Sequence, residues 1–248
     1  MITKNKNLIF APTFNEKHGI SKLVSQVLEL YPDSDMLIVD DNSTDGTIEV
    51  LESLKKYYSN LIIHIRPKKI GIGSAHVFAF EYALKNGYLR LVTMDADLSH
   101  QPFEIQKLLA EYTEANYVVG TRASRKGGSN QSPLFRRILS NGANLFCRLL
   151  LNTRLSEYTN SFRCYDRLAL DFILSNLPKS NDYSFFIEIS FAVCNSDLNI
   201  AEVPIEFVSR EFDKSKIPRS QIFFSSITII RLLFSKLRSF KRGNFEAK

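Results

Sequence analysis

The sequence predicts an α/β protein with a mostly parallel sheet and helices on both faces. Short apolar runs alternate with segments of helical apolar spacing, at roughly 25 to 30 residues per repeat, as parallel strands joined by crossover helices require. At 248 residues, 44% hydrophobic and 23% charged, the chain can bury one sizeable core. We therefore expect one domain over residues 1–217, followed by a basic amphipathic helix and tail over 218–248.

The first half of the chain predicts four strands and three helices. The apolar run over 7–11 predicts the first strand, which Pro12 is expected to end. The next apolar residues recur at intervals of three and four and predict a helix: Ile20, Leu23, Val24, Val27, Leu28 and Tyr31. Further strands are expected at 36–39, 61–65 and 91–94, and helices over 48–58 and 75–83.

The second half is less regular. A helix over 105–112 and a strand at 117–119 continue the pattern up to Gly120, and the periodicity then predicts helices over 135–150 and 183–194 and a strand over 200–208. The apolar segment 222–237 contains Arg231 and Lys236 and is too short and too charged to span a bilayer. It is either a core helix or an interfacial helix whose cations meet anionic lipid.

Positive charge is concentrated at one end. Residues 214–248 hold nine Lys and Arg against one acid, so the remainder of this +6 chain carries −2. That distribution favours contact of one end with a membrane surface over nucleic acid binding. The three cysteines match no disulfide or zinc pattern, and the first apolar run is too short for a signal peptide, so we expect a cytoplasmic protein with reduced thiols.

A pair of carboxylates follows the fourth predicted strand. Asp95 and Asp97 come directly after the apolar run 91–94, at the sheet edge where open α/β proteins bind ligands. Residues i and i+2 of an extended segment point the same way, so both could bind one divalent cation whose shell is completed by substrate phosphates. The alternative is a solvated acidic loop.

A cluster of cations follows the fifth predicted strand. The segment from 122 to 137 contains no acid and five cations: Arg122, Arg125, Lys126, Arg136 and Arg137. Its position directly after a strand end favours anion binding over a solvated surface loop. With no acid nearby in the sequence, Arg122 and Arg136 are expected to bind phosphate and not to support the fold.

The order of the motifs resembles family 2 glycosyltransferases of the GT-A (Rossmann-like) fold, in particular the dolichyl-phosphate mannose synthase and polyprenyl-phosphate glycosyltransferase group. The resemblance covers about residues 8 to 216. It rests on seven motifs: APTFNE at 11–16, VDDNSTDGT at 39–47, MDADLSHQP at 94–102, VGTR at 119–122 with KGG at 126–128, YTNSFR at 158–163, YSFFIE at 183–188, and EVPIEFVSR with SK at 202–216.

The resemblance implies a role for each matching residue. Nucleoside contacts would come from Pro12, Thr13, Asn15, Glu16 and Asp41. Asp95, Ala96 and Asp97 would bind Mg²⁺ or Mn²⁺ and the diphosphate, with Ser99 joining the metal shell where some members have Gln. The cations expected to bind donor and acceptor phosphates are Arg122, Arg136, Arg210 and Lys216. Of these residues, Asp97, Arg122 and Arg136 would serve catalysis most directly.

The implied activity is inverting transfer of a hexose from a nucleoside-diphosphate sugar to a polyprenyl or dolichyl monophosphate. Mannose from GDP-mannose is the first candidate. The enzyme would act peripherally on the cytoplasmic face of a membrane, to which a small membrane-anchoring subunit could recruit it. A metal would stabilise the departing diphosphate, and a phosphate acceptor, with a second pKa near ~6, is already anionic at pH 7 and needs no general base.

Two departures from the family pattern occur in one turn. Glu157 replaces an Asp, and Asn160-Ser161 replaces a pair that contains Gly. Because this turn departs from the family pattern, the sugar that the enzyme selects is the property that the resemblance predicts least well.

Four other functions stay open on the sequence alone. A family 2 enzyme could instead glycosylate a saccharide hydroxyl in cell-surface polysaccharide synthesis, with Glu188 as general base unless that residue is a structural acid. A phosphohydrolase of the haloacid dehalogenase type also uses a DxD motif, but there the motif follows the first strand of the core, whereas here it follows the fourth predicted strand. A nicotinamide dehydrogenase would need a third glycine where His76 stands. A catalytically inactive binding subunit would not need Asp95 and Asp97.

Overall fold

The computed structural model describes residues 6–122, 129–130, 142, 144–145, 147–149, 151, 155–208 and 225–236. The strands are β1 (Asn7–Thr13), β2 (Asp35–Asp40), β3 (Leu61–Ile65), β4 (Arg90–Thr93), β5 (Tyr117–Thr121), β6 (Ser129–Asn130), β7 (Arg163–Asp166), β8 (Ile200–Pro204) and β9 (Glu206–Phe207). The helices are α1 (Lys17–Leu30), α2 (Thr47–Lys55), α3 (Ile72–Lys85), α4 (Ile105–Ala110), α5 (Arg167–Ser175), α6 (Ser184–Cys194) and α7 (225–236). The described positions between 142 and 151 are also helical.

The main sheet has seven strands in the order β3-β2-β1-β4-β7-β5-β8, counted over the described residues. Neighbouring strands are parallel except at β7, which runs antiparallel between β4 and β5. The predicted α/β class with a mostly parallel sheet is confirmed. The short β6 and β9 pair in a separate sheet, so the single strand expected over 200–208 is divided into β8 and β9.

Strand β7 and helix α5 were not expected from the sequence. Residues 163–166 read Arg-Cys-Tyr-Asp, which has neither a continuous apolar run nor a clear alternation, although all four are buried. The Asp166 side chain accepts a 2.8 Å hydrogen bond from the backbone N–H of Ala169 and caps α5. A strand that is buried through partners distant in sequence leaves a weak periodic signal.

Side chains of the central strands alternate between two apolar layers. Leu8 and Phe10 of β1 pack in the layer that contains α3, α5 and α6, whereas Ile9 and Ala11 pack in the layer that contains α1 and α4. All four are fully buried. Burial on both faces explains why β1 is a continuous apolar run.

The prediction that Pro12 ends the first strand is wrong, because β1 continues to Thr13. The pairing of β1 with β4 ends at Phe10, whereas the pairing with β2 continues through Pro12 and Thr13. Proline cannot donate a hydrogen bond, and here it lies where one neighbouring strand has already ended.

Helix α7 packs one face against the rest of the structure. Thr228 and Ile229 are buried, and a guanidinium nitrogen of Arg231 lies 2.5 Å from Oε1 of Glu188 on α6. At the other end, the Lys236 ammonium donates to the carbonyl oxygen of Leu151. The core-helix interpretation therefore holds for this face. No helix in the described part of the chain has the length and apolarity needed to cross a membrane.

Candidate active site

Those predicted site residues that the structure describes gather at the carboxyl ends of β1, β2, β4 and β5. Asp40 ends β2, Asp95 follows β4, and Arg122 follows β5. The amino end of β7 lies at the same edge, because β7 is antiparallel to its neighbours and Arg163 pairs with both Thr93 and Val119. The antiparallel strand thus brings the turn before it to the edge where ligands bind in open α/β sheets.

The two carboxylates of the DxD motif are held differently. Asp97 is 6% exposed, and its Oδ1 accepts hydrogen bonds from the backbone N–H (3.0 Å) and the hydroxyl (2.5 Å) of Ser99. The side chain of Asp95 is 26% exposed, and its Oδ1 accepts a 2.5 Å hydrogen bond from the Ser161 hydroxyl. Leu98, between Asp97 and Ser99, has a φ of 60°, so the tight turn is built from a non-glycine residue in the left-handed region.

His100 supports the backbone of this loop. Its Nδ1 accepts a 3.0 Å hydrogen bond from the backbone N–H of Asp95, and its ring stacks on Phe162 with centroids 4.9 Å apart. Burial lowers the pKa of His100, although Asp95 and Asp97 oppose that effect. The ring is therefore neutral, and Nδ1 is free of a proton and can act as the acceptor.

Arg122 is paired with a buried acid. Its Nε and Nη2 donate to the two carboxylate oxygens of Glu157 at 2.8 and 2.9 Å, and Nη2 also donates to the Thr159 hydroxyl at 2.9 Å. The guanidinium carbon lies 5.0 Å from the centre of the Phe207 ring. The absence of a nearby acid in the sequence was misleading, because the acid that pairs with Arg122 comes from a turn 35 residues further along the chain. This ion pair favours a part for Arg122 in the fold.

The pair shifts both pKa values toward the charged forms. Burial alone would raise the pKa of Glu157, but the charge and hydrogen bonds of Arg122 and the bonds from Thr159 lower it to about 2. Burial likewise works against the charged form of Arg122, but Glu157 raises the pKa of the guanidinium. Both groups are therefore ionised at neutral pH.

The nucleoside end of the predicted site is ordered by hydrogen bonds between the loops after β1 and β2. The backbone N–H of Asn15 donates to the Ser43 hydroxyl at 2.7 Å, and the Asn15 side chain accepts from the N–H of Thr44 at 2.9 Å. The N–H of Glu16 donates to the Thr47 hydroxyl at 2.9 Å. Asn15 and Glu16 thus hold two loops together, and their contact with a nucleoside stays a prediction.

Thr13 and Asp41 are the other two polar residues predicted to contact the nucleoside. The Thr13 hydroxyl is buried and has no hydrogen-bond partner among the described residues, next to the Pro12 position that also belongs to the motif. Asp41 forms an ion pair with the guanidinium of Arg66, and its Oδ2 accepts a 3.3 Å hydrogen bond from the N–H of Gly71. A buried hydroxyl without a partner is the kind of atom that a ligand satisfies.

Arg66 and Gly71 were not predicted as site residues, although the sequence shows a basic loop followed by glycines. Gly71 has a φ of 113°, and a Cβ atom there would lie 2.6 Å from the carbonyl oxygen of Asn181. Only glycine fits this close approach, which brings the 179–181 loop against the loop after β3.

The Glu188 carboxylate is held by several hydrogen bonds and an ion pair. Its carboxylate accepts hydrogen bonds from the backbone N–H groups of Lys179 (2.8 Å) and Ser180 (3.1 Å) and from the Ser180 hydroxyl, and pairs with Arg231. It is 7% exposed. Of the two interpretations left open by the sequence, these contacts favour the structural acid.

The remaining predicted cations, Arg136, Arg210 and Lys216, lie outside the described residues, as do Arg125, Lys126 and Arg137. Ala96 is buried between Asp95 and Asp97.

The carboxylates suit a cation that takes part of its shell from a substrate. Within the described ranges, no group of three or more His, Cys, Asp and Glu side chains could hold a metal ion. Asp95 and Asp97 could supply two carboxylates, and Mg²⁺ is typically bound by one or two carboxylates together with substrate phosphates. The Ser99 hydroxyl donates a hydrogen bond to Asp97. That Ser99 also binds the metal stays a prediction.

Known proteins of similar sequence belong to the family that the motifs resemble. Residues 8–174 match the family described as Glycosyl transferase family 2. Polyprenol monophosphomannose synthase of Mycolicibacterium smegmatis is 34% identical over 220 residues, which cover 88% of this chain and 83% of the relative. Undecaprenyl-phosphate mannosyltransferase of Micrococcus luteus is 33% identical over 210 residues, or 85% of this chain and 86% of the relative.

Solved structures share the fold. Glucosyl-3-phosphoglycerate synthase from Mycobacterium tuberculosis, in complex with Mg²⁺ and uridine diphosphate, aligns with a TM-score of 0.65 and 16% identity, over 93% of this chain and 79% of that one. The same enzyme in complex with Mn²⁺ and UDP-glucose also gives a TM-score of 0.65, with 78% of that chain covered. The expected GT-A fold is confirmed by this likeness.

Proposed function

Since this chain belongs to glycosyl transferase family 2 and is a glycosyltransferase, we propose that it transfers a hexose from a nucleoside-diphosphate sugar to a polyprenyl monophosphate. The observation that carries the proposal is its similarity, over most of its length, to two relatives named for mannosyl transfer to polyprenyl phosphates. Mannose is the first candidate for the sugar and GDP-mannose for the donor.

The sheet edge supplies the groups that donor binding needs. The nucleoside would lie against Pro12, Thr13, Asn15, Glu16 and Asp41, where the Thr13 hydroxyl, which has no hydrogen-bond partner in the described part of the chain, is available to a ligand. The diphosphate would lie between this region and the carboxylates after β4. Mg²⁺ or Mn²⁺ bound by Asp95 and Asp97, with Ser99 as a further ligand, would supply Lewis-acid stabilisation of the departing diphosphate.

The contacts of Glu188 favour a phosphate acceptor over a saccharide hydroxyl. A hydroxyl acceptor needs a carboxylate or another base to remove its proton, whereas a phosphate monoester is already anionic at pH 7. Glu188 was the candidate base, and it is occupied by two backbone N–H groups and Arg231. We propose that Arg122, Arg136, Arg210 and Lys216 bind the donor and acceptor phosphates.

The donor can be identified by product analysis. Purified protein is incubated with Mg²⁺, a short polyprenyl phosphate and, in separate reactions, GDP-mannose, UDP-glucose and other nucleotide sugars. The nucleoside diphosphate that appears together with a hexosyl lipid identifies the donor. Glycosylation of a saccharide acceptor, with no reaction of the lipid phosphate, would favour the alternative activity in polysaccharide synthesis.

The outer face of α7 offers a surface for membrane contact. Ile227, Ile230 and Phe234 recur at helical spacing and are 47%, 47% and 58% exposed, while the opposite face packs on the protein. Lys and Arg residues continue beyond the helix to residue 248. We propose that this apolar stripe enters the headgroup boundary of a cytoplasmic membrane face while the cations meet anionic lipid. Recruitment by a small membrane-anchoring subunit would act at the same end.

Replacing Ile227, Ile230 and Phe234 together by Gln should weaken binding to anionic vesicles on the order of a hundredfold. Three partly inserted apolar side chains contribute on the order of 1 kcal/mol each, and all three are lost. Vesicle co-sedimentation measures the effect. Leu168→Gln is the matched control, because Leu168 is 62% exposed on α5.

Exposed substitutions are preferable to truncation here, since removal of α7 would also take the buried Ile229 out of the core and leave Glu188 without Arg231. Vesicle binding of the triple variant equal to that of the unaltered protein would exclude the stripe as the docking surface.

A further inference from the structure

We infer that Ser161 is a positioning residue for Asp95, and that the turn 157–162 fixes Asp95 and Arg122 relative to each other. This role rests on the proposed function, because it assigns Asp95 and Arg122 to one substrate site. Ser161 falls in the turn where the chain departs from its family's usual sequence, and no motif predicted a contact between Ser161 and Asp95.

The turn lies across two strand ends. Because β7 is antiparallel between β4 and β5, the residues that precede it pass over the carboxyl ends of both strands. Asp95 follows one of these strands and Arg122 the other. A single short segment therefore reaches both charged side chains.

Ser161 contacts the DxD strand through two groups. Its hydroxyl donates to Oδ1 of Asp95 at 2.5 Å, and its carbonyl oxygen accepts a hydrogen bond from the Thr93 hydroxyl on β4. Ser161 is 1% exposed, so water does not compete freely for its hydroxyl. The Asp95 carboxylate is thereby held in one orientation.

The other end of the turn holds Arg122. Glu157 accepts from Nε and Nη2 of that side chain, and Nδ2 of Asn144 adds a 3.2 Å hydrogen bond to the same carboxylate. Glu202 on β8 accepts from the backbone N–H of Ser156 at 2.6 Å and from that of Glu157 at 3.2 Å. The acid that pairs with Arg122 is itself fixed to the sheet.

A buried guanidinium joins the two ends. Arg163 is fully buried and donates to the carbonyl oxygens of Asn160 (2.9 Å) and Tyr158 (3.0 Å). The Asn160 side chain donates to the carbonyl oxygen of Gly120 at 2.5 Å. The backbone of the turn is thus fastened to the core between Glu157 and Ser161.

Fixing a ligand side chain through a buried hydrogen bond raises metal affinity, because less orientational freedom is lost on binding. Removing such an outer contact typically lowers metal affinity 10- to 100-fold. Ser161 is expected to act in this way, through Asp95 and without touching the metal.

The test is Mn²⁺ binding in the presence of a nucleoside diphosphate, with GDP and UDP used in turn and no sugar donor or acceptor. Ser161→Ala and Ser161→Gly remove the hydroxyl, and both should weaken Mn²⁺ binding on the order of tenfold, measured by electron paramagnetic resonance. Ser34→Ala is the control, because it removes a buried serine hydroxyl at the opposite edge of the sheet. Melting temperatures without metal show whether the variants fold.

Unchanged Mn²⁺ affinity in folded Ser161→Ala or Ser161→Gly would overturn the positioning role and leave the proposed function intact. An equal loss in Ser34→Ala would overturn it as well, since the effect would then not depend on Asp95. If the unaltered protein bound no Mn²⁺ with either nucleotide, the proposed function would fail together with this role.

Discussion

Asp97→Asn should lower the rate of sugar transfer on the order of 10³-fold while the protein stays folded. The variant removes the formal charge that would bind the divalent cation and with it several kcal/mol of stabilisation of the departing diphosphate. The asparagine side-chain oxygen can still accept from the backbone N–H and hydroxyl of Ser99, so the loop should keep its shape.

Initial rates in Mg²⁺ and in Mn²⁺, together with melting temperatures, measure these two effects separately. Asp197→Asn is a matched control, because Asp197 is exposed before β8, at the edge of the sheet opposite the site. Near-normal transfer by Asp97→Asn in either metal would contradict the assignment of Asp97 as a metal ligand.

Arg122→Ala should destabilise the protein by about 3 to 5 kcal/mol, because it leaves the Glu157 carboxylate buried without its cation. For a chain of 248 residues this corresponds to a fall in melting temperature of roughly 10 °C. Arg148→Ala, on an exposed helical residue, should change stability by no more than about 0.5 kcal/mol.

A double variant separates charge burial from packing. Arg122→Met with Glu157→Gln removes both charges, so its loss of stability should be smaller than the sum of the two single losses. Additive losses, or a melting temperature unchanged in Arg122→Ala, would show that the pair does not support the fold and would restore the original prediction for Arg122.

The pH dependence of stability follows from the lowered pKa of Glu157, which is about 2 in the folded protein against 4.5 for a free glutamate. The stabilisation is complete above the unfolded pKa and is lost as the pH falls through the folded pKa. The difference in unfolding free energy between the unaltered protein and Glu157→Gln should therefore be constant near neutral pH and shrink as the pH falls from about 4.5 toward 2.

Local sequence patterns predicted the elements that form continuous apolar runs or carry apolar residues at helical spacing. The strands β1 to β5 and the helix α1 are of this kind. The carboxylates after β4 were predicted as well, because a strand that ends in charged residues places them at the ligand-binding edge.

Contacts between distant residues could not be predicted in this way. Glu157 and Arg122 are 35 positions apart, and Ser161 and Asp95 are 66 apart. Both contacts depend on β7, whose buried Arg163 satisfies its guanidinium through carbonyl oxygens and a tyrosine hydroxyl. Since a short strand with a charged residue at each end gives no apolar period, the turn before it has no predicted position either.

Helix α7 shows why the sequence left two interpretations of one segment open. Its apolar residues lie on more than one face, which the sequence left as a choice between a core helix and an interfacial helix. The structure buries Ile229 and exposes Ile227, Ile230 and Phe234. The helix therefore closes the core on one side and offers an apolar stripe on the other.

The most direct test of the proposed function compares two acceptors that differ only in the phosphate. The purified protein, Mg²⁺ and the nucleotide sugar identified as donor are incubated with a short polyprenyl phosphate or with the corresponding free polyprenol. Sugar transfer to a phosphate predicts equal amounts of nucleoside diphosphate and hexosyl lipid with the polyprenyl phosphate, and neither product with the polyprenol. Glycosylation of a saccharide hydroxyl, with no product from the polyprenyl phosphate under any donor, would contradict it.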